Sequence, residues 1–189
     1  MLEIRPLRRA DLQSLSQFTD REIGAGYFTP IELEKLYENS QSQGVMCSLV
    51  LVNHDDALLG VRITLPPGQW GKGKGQGLHP EQWPHPQERT AYFQSLFLAR
   101  EIQGQGWGGQ LSRGAMERLR QIGTKGIVTH SWKESPANSS TRYLKKLGFV
   151  AIADHPLYWQ DVDYNCTRCL RPPCLCTAQE MYLDLERIE

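Results

Sequence analysis

One stretch constrains this chain more than any other: Leu96-Phe97-Leu98-Ala99-Arg100-Glu101-Ile102-Gln103-Gly104-Gln105-Gly106-Trp107-Gly108-Gly109. An apolar strand ends, glycines turn the backbone, and a helical pattern begins near Gly109 and runs to Ile122. The first turn of a helix leaves N–H groups unpaired and carries partial positive charge, so it draws phosphate. Glycines let those amides approach phosphate oxygens with no Cβ in the way. The stretch reads as a phosphate cradle, with a flexible turn that binds nothing as the plainer alternative. Gly104-x-Gly106-x-x-Gly109 also satisfies the dinucleotide fingerprint, which belongs to a parallel βαβ unit with further such units around it. Only one such unit is available here, which weakens that reading.

The elements around the turn set its context. Glu3 to Leu7 is short, alternating and interrupted by Pro6, which suits an edge strand. Asp11 is placed to cap a helix carrying Leu12, Leu15 and Phe18 on one face. Thr29 caps a second helix with Pro30 at its first position, Leu33, Leu36 and Tyr37 at helical spacing, and Gly44 at its end. Val45 to Val52 and Leu58 to Leu65 form a hairpin across Asn53-His54-Asp55-Asp56. Residues 66–87 are rich in proline and glycine and read as a long loop without regular structure. Strands follow at Thr90–Leu98 and Gly126–Trp132, a helix at Asn138–Leu147 closed by Gly148, a strand from Phe149 to Ile152 and a last one at Met181–Leu185. The order β-α-α-β-β-β-α-β-α-β-β predicts an α/β (α+β) fold: a mixed sheet with helices on its faces.

At 189 residues the chain suits a single domain over 1–189, which would bury roughly 70% of the surface its unfolded chain exposes. With 21 basic and 21 acidic side chains and no basic stripe, no nucleic acid partner is expected. The start, MLEIRPLRRADLQSL, lacks the apolar stretch of a signal peptide, and runs such as Ser48 to Val52 are far too short to span a bilayer. The expectation is a cytosolic protein without a membrane partner, and oligomeric state, a homodimer included, is left open.

Gln103-x-x-Gly106-x-Gly108 after the strand Leu96–Leu98 resembles the acyl-CoA-binding motif of the GNAT acetyltransferase superfamily. Leu147-Gly148-Phe149 after a helix is similar to that superfamily's second landmark, and the order of elements matches from Glu3 to about Ile152. The resemblance implies a mostly antiparallel sheet whose central parallel pair splays apart to admit acetyl-CoA, with an amine as acceptor. The backbone at Leu98, Ala99 and Arg100 would then hydrogen-bond the pantetheine arm and polarise the thioester carbonyl. Amides of Gln103, Gly104, Gln105, Gly106, Trp107, Gly108 and Gly109 would hold the pyrophosphate, and Asn138 would contact the pantetheine. The amine would attack directly in a ternary complex.

Proton transfer is less clearly marked. The family often places a tyrosine five residues before the phenylalanine of Gly-Phe; here that position is Leu144, with Tyr143 one residue earlier. One residue is about 100° of helix rotation, so Tyr143 is either catalytic through a locally altered helix or a core residue. Asn138 carries the same one-residue shift. His130 is the second candidate, because an imidazole suits a general base near neutrality, while a strand histidine is also an ordinary packed side chain. Glu88 and Glu134 read as solvated. Trp70, Lys72, Lys74 and Trp83 of the long loop are placed either over the acceptor site or on a disordered tether.

Cys166-x-x-Cys169-x4-Cys174-x-Cys176 puts four thiols in eleven residues, within an insertion spanning 163–178. The two-residue spacing makes a knuckle, and Cys174 and Cys176, two apart in extended chain, complete a tetrahedral shell. Pro172-Pro173 stiffens the link. The spacing is similar to short zinc knuckles such as the Cys-rich start of DTW-domain RNA-modifying enzymes, with a shorter middle gap. Structural zinc is expected, with an iron–sulfur cluster, two disulfides or free thiols as alternatives. Cys47, alone in an apolar strand, reads as core. Beside the acetyltransferase stand two other functions: a non-catalytic acyl-CoA-sensing or partner-binding module using the knuckle, and a nucleotide-dependent oxidoreductase.

Overall fold

A computed structural model describes residues 1–71, 77–161, 166 and 168–188. Its main sheet has seven strands in the order β1-β4-β5-β6-β7-β9-β8. These are β1 (Glu3–Pro6), β4 (Leu49–Val52), β5 (Leu58–Leu65), β6 (Thr90–Leu98), β7 (Gly126–Trp132), β8 (Val150–His155) and β9 (Ala178–Asp184). The remaining two, β2 (Gln41–Ser42) and β3 (Val45–Met46), form a separate ribbon. The β6–β7 pair is parallel and the other pairs of the main sheet are antiparallel. A chain of parallel βαβ units is therefore not what surrounds the glycine turn, and the dinucleotide reading falls with it.

Helices α1 (Leu12–Glu22), α2 (Pro30–Asn39), α3 (Trp107–Gln121) and α4 (Ser139–Lys146) cover both faces. Leu96 touches Gly108 of α3, whereas its neighbour Phe97 meets Tyr27 of the α1–α2 connection edge-on at 5.5 Å. Side chains alternate across a strand, so α3 lies on one face and the α1–α2 connection on the other. Ser131 of β7 bonds Thr141 of α4 at 2.6 Å, which puts α4 on the α3 face and His130 on the opposite one.

Local chemistry explains most element ends. Thr29 caps α2 with Pro30 at the first helical position, as the sequence predicts, and Glu32 returns the bond to complete a capping box. Asp11 does not cap α1. Its carboxylate instead accepts from the Arg8 N–H and takes both guanidinium nitrogens of buried Arg5 at 2.7 and 2.9 Å. That pairing holds the Asp11 carboxyl below its usual range against the opposing effect of burial. α2 stops at Asn39, five residues short of Gly44, which has φ +76 in the β2–β3 turn.

The segment 66–87 departs from expectation. Short 3₁₀ turns occupy Pro80–Gln82 and Gln87–Arg89, and Trp70 and Trp83 are buried with Leu65, Tyr92, Val128 and Tyr182. Lys72 and Lys74 lie outside the described residues. Among the described residues, no helix is long and apolar enough to cross a membrane.

Candidate active site

The gap in the sheet has an identifiable cause. β6 pairs with β7 from Thr90↔Gly126 to Phe93↔Thr129 and then stops, although it continues beside β5 as far as Leu98. On the β5 side the register shifts between Ile63↔Ser95 and Thr64↔Phe93, leaving Gln94 as an extra residue in β6. A bulge bends its strand and tightens the twist, and this one sits where the parallel pairing ends. Thr90–Phe93 are buried, whereas Gln94–Leu98 are partly exposed along the opened edge.

Backbone groups line this edge. The Ala99 N–H goes to Leu59 O at 2.8 Å. Strand alternation then turns the N–H and C=O of Leu98 toward the gap. The Gln103 side chain donates to that Leu98 carbonyl at 2.9 Å, and Gln105 donates to Glu101 O at 3.0 Å. Both glutamines thus brace the turn itself. Gly104 and Gly106 hold φ of +77 and +87, and a Cβ at either would meet nothing within 4 Å. The Gln110 N–H, bonded to Gly106 O at 3.2 Å, is the first to reach one turn back. The Gln103 N–H is taken by Arg100 O at 3.3 Å, so of the amides expected to hold phosphate those of 104–109 are the ones left without a helical partner, at a bend on the mouth of the gap. Arg100 is exposed, Trp107 and Gly109 partly buried, and Gly108 buried against Leu96.

Tyr143 and Leu144 are now distinguishable. Ala137 and Asn138 both have φ +53, so the irregularity falls before α4, and Leu144 stays on the buried side. Tyr143 turns toward the first turn of α3. Its hydroxyl donates to Gly108 O at 3.2 Å, receives Arg62 Nη2 at 2.9 Å and contacts Ser112 Oγ. Arg62 is buried, bonds Ser112 at 3.0 Å and lies over the Phe93 ring at 4.4 Å. Asn138 is exposed and makes no side-chain cap; Ser135 Oγ caps the Ser140 N–H instead.

His130 lies just past the last β6–β7 pair, facing away from α3 and α4. Its Nε2 bonds Gly77 O at 2.8 Å, while Nδ1 faces the hydroxyls of Tyr92 at 2.9 Å and Tyr158 at 3.3 Å. Tyr158 stacks on the imidazole with ring centroids 4.4 Å apart. Beside it Glu180, fully buried, accepts from the His79 N–H and Nδ1, Trp83 Nε1 and His155 Nε2. Glu180, His79, His155, Tyr158 and Arg62 were not singled out by sequence, because their partners lie tens of residues away.

The four cysteines come together. Sγ atoms of Cys166 and Cys176, and of Cys169 and Cys176, are 3.7 Å apart, and Cys169 to Cys174 is 4.0 Å. A tetrahedral ion with sulfurs at about 2.3 Å requires edges of about 3.8 Å, whereas a disulfide holds its sulfurs at about 2.05 Å. The donor set therefore fits zinc, and the four thiols stand unpaired at separations too long for disulfides. Buried Trp132 Nε1 lacks a nitrogen or oxygen partner and packs against this cluster, as Trp159 does. Glu134, expected to be solvated, accepts the Thr177 N–H at 2.9 Å and pairs with Arg168 at 3.7 Å, clamping the knuckle to the end of β7. Burial would raise the Cys166 thiol, but the Cys169 and Arg168 amides and the neighbouring thiols bring it to about 7. Cys47 is fully buried in the core, and that burial pushes its thiol to about 11.

A mixed sheet with one splayed parallel pair and an amide-lined turn at the mouth of the gap defines the N-acetyltransferase class of fold. The chain belongs to the GNAT acetyltransferase family, whose model matches residues 19–149. No curated protein sequence matches it. Among solved structures, it superposes on an N-acetyltransferase from Staphylococcus aureus Mu50 with TM-score 0.67 at 17% identity, covering 98% of this chain and 99% of that one. Ard1 from Thermoplasma volcanium gives 0.67 at 15%, with 97% of each chain covered. The NatC complex bound to Gag peptide and CoA gives 0.67 at 12%, covering 97% and 98%. At these identities the likeness is one of fold.

Proposed function

We propose that the chain binds acetyl-CoA with its diphosphate on the amides of 104–109 and its pantetheine along the opened edge of β6, and transfers the acetyl group to an amine; the Gln103 N–H, bonded to Arg100 O, braces the turn instead. The observation that carries this reading is the open amide turn at the mouth of a splayed parallel pair. Leu98, with Ala99 and Arg100 around it, supplies the backbone that holds the thioester end, and Asn138 closes over the arm from the start of α4. The acceptor enters from the face opposite α3 and α4, between Tyr27 and Phe97 on one side and His130 and Tyr158 on the other. His130 serves as base for the amine. Tyr143 protonates the departing thiolate, and because a thiol is a fair leaving group near neutrality its contribution is modest.

Thermal shift with acetyl-CoA, CoA, NAD and NADP tests the reading. A ligand that binds the folded state raises Tm by mass action, about 2.7 kcal/mol of stabilisation at a hundredfold excess over Kd. The CoA compounds should stabilise and the nicotinamides should not. Thiol release across a panel of small amines and peptides with free α-amino groups should follow, and Tyr143→Phe should lower kcat about tenfold with KM for acetyl-CoA unchanged. Binding of CoA with no turnover on any amine would select the non-catalytic module instead.

The knuckle belongs to the same reading as a structural zinc site, with Cys166, Cys169, Cys174 and Cys176 filling four positions and none left open for chemistry. Cytosolic residence accords with thiols gathered for a metal rather than paired. Metal analysis of the purified protein should find about one zinc per chain, lost in Cys166→Ser/Cys169→Ser. Folded protein with four reactive thiols and no metal would remove the site.

A further inference from the structure

The knuckle lies against the acceptor side of the cleft. Trp132, which ends β7 two residues after His130, packs on the cysteine cluster together with Trp159. Trp159 meets Tyr158 edge-on at 5.1 Å, and Tyr158 stacks on His130 at 4.4 Å and 26°. The turn at 156–161 therefore has one aromatic residue on the thiols and the next on the imidazole. Neither β8 nor β9 fixes this turn by pairing, since their register ends at His155↔Ala178. What holds it is the contact of Trp159 with the cluster, together with the ring of Tyr158 on His130 and His155 and its hydroxyl on His130 Nδ1.

We propose that the metal-loaded knuckle is the support of the acceptor wall: it holds Trp159, and through it keeps Tyr158 flat against His130. Tyr158 and Trp159 are positioning residues in this arrangement. The inference rests on the zinc reading of the four cysteines and goes beyond it, because a merely structural knuckle has no need to touch the face where the amine arrives. Acetyl-CoA, held by its diphosphate on the amides of 104–109 at the start of α3, is anchored outside this contact chain. Loss of the metal should therefore separate the two substrates, weakening use of the amine and leaving the coenzyme alone.

The test compares wild-type protein, Cys174→Ser/Cys176→Ser, Trp159→Ala, Tyr158→Ala and Tyr158→Phe. Three quantities are read besides turnover: zinc content, Kd for acetyl-CoA, and the His130 ring-proton resonances, assigned by their disappearance in His130→Asn. A phenol stacked on the imidazole shifts those protons upfield. Wild type and Tyr158→Phe should show the upfield shift; the cysteine pair, Trp159→Ala and Tyr158→Ala should lose it, with acetyl-CoA Kd unchanged throughout as the check on folding. Trp159→Ala should do so while still holding zinc, which covers the case of a cysteine variant that fails to fold. With the most reactive amine of the panel, the same three variants should lose about ten- to a hundredfold in acceptor kcat/KM, the scale of a misplaced reactant. Zinc present in wild type, with His130 resonances unmoved by its loss and by Trp159→Ala, would overturn this inference alone. Wild-type protein that shows the upfield shift without any metal would overturn the zinc reading beneath it.

Discussion

Gly106→Asp is expected to weaken acetyl-CoA binding about a hundred- to a thousandfold while leaving the fold in place. Gly106 has φ +87 and ψ −3, and a side chain there would meet no atom within 4 Å, so bulk is not the obstacle. Charge is. A carboxylate about 4 Å from a phosphate charge repels it by about 4 kcal/mol at an effective dielectric near 20, and each 1.4 kcal/mol is tenfold in Kd. The control is Gly106→Asn, close in shape, uncharged and tolerant of the left-handed region. It carries the backbone strain without the repulsion and should bind far better than the aspartate. The gap between the two should narrow as salt is raised, since exposed charges are screened over about 10 Å at 0.1 M. Calorimetry with acetyl-CoA at two ionic strengths measures it. Equal affinities for the two variants would mean that the diphosphate rests somewhere other than this turn.

The strands on either side of the gap were legible because their sequences repeat apolar residues on both faces: Thr90–Leu98 and Gly126–Trp132 occur at the predicted bounds. The hairpin at Val45–Val52 was read as one strand, but Cys47 and Ser48 break it, and its first half turns back to pair with Gln41–Ser42 across Gln43-Gly44. Two-residue strands carry no periodicity to detect. The bulge at Gln94 was invisible for a related reason. Nothing in Phe93-Gln94-Ser95 marks an extra residue, and only the register against β5 reveals it. The family resemblance supplied the splay; the residue that produces it came from the structure.

The glycine turn was legible for the opposite reason, since its chemistry is local: six amides, four glycines and a helix start lie within Gly104–Gly109. The cysteine cluster is local too. Tyr143 and His130 were ambiguous because their meaning depends on distant partners. Tyr143 takes its place from Arg62, 81 residues away, and His130 from Gly77 and Tyr92, 53 and 38 residues away. Reading 66–87 as irregular missed what its tryptophans and histidines do. Trp83 and His79 reach Glu180 across 97 and 101 residues, a contact no window of sequence contains.

That contact makes Glu180 the second position where a small change should have a large effect. Its two carboxylate oxygens are fully buried and accept four N–H groups, from the His79 backbone, His79 Nδ1, Trp83 Nε1 and His155 Nε2. Gln matches the shape but offers one oxygen, and its NH₂ would face donors. Breaking a buried charged network in this way costs about 3–5 kcal/mol, a large part of the 5–15 kcal/mol typical of a whole domain. Urea unfolding of Glu180→Gln against wild type reads that loss at each pH.

The pH dependence identifies the cause. Burial works to raise the Glu180 carboxyl, but the His79, Trp83 and His155 donors hold it below its usual value. Its contribution is therefore complete above the unfolded Glu pKa of about 4.3 and disappears as pH falls through the lower folded value. His79 has the reverse sign. The Glu180 hydrogen bond raises its imidazole, so its share is complete below about 6.5 and is lost as pH climbs through the folded value. The stability difference between wild type and Glu180→Gln should therefore be largest between about pH 4.3 and 6.5 and shrink on both sides. A difference of under about 1 kcal/mol, or one that ignores pH, would mean that the buried tryptophans and the His130–Gly77 and His85–Asp184 contacts hold the 66–87 segment to the sheet and that the carboxylate merely fills space beneath it.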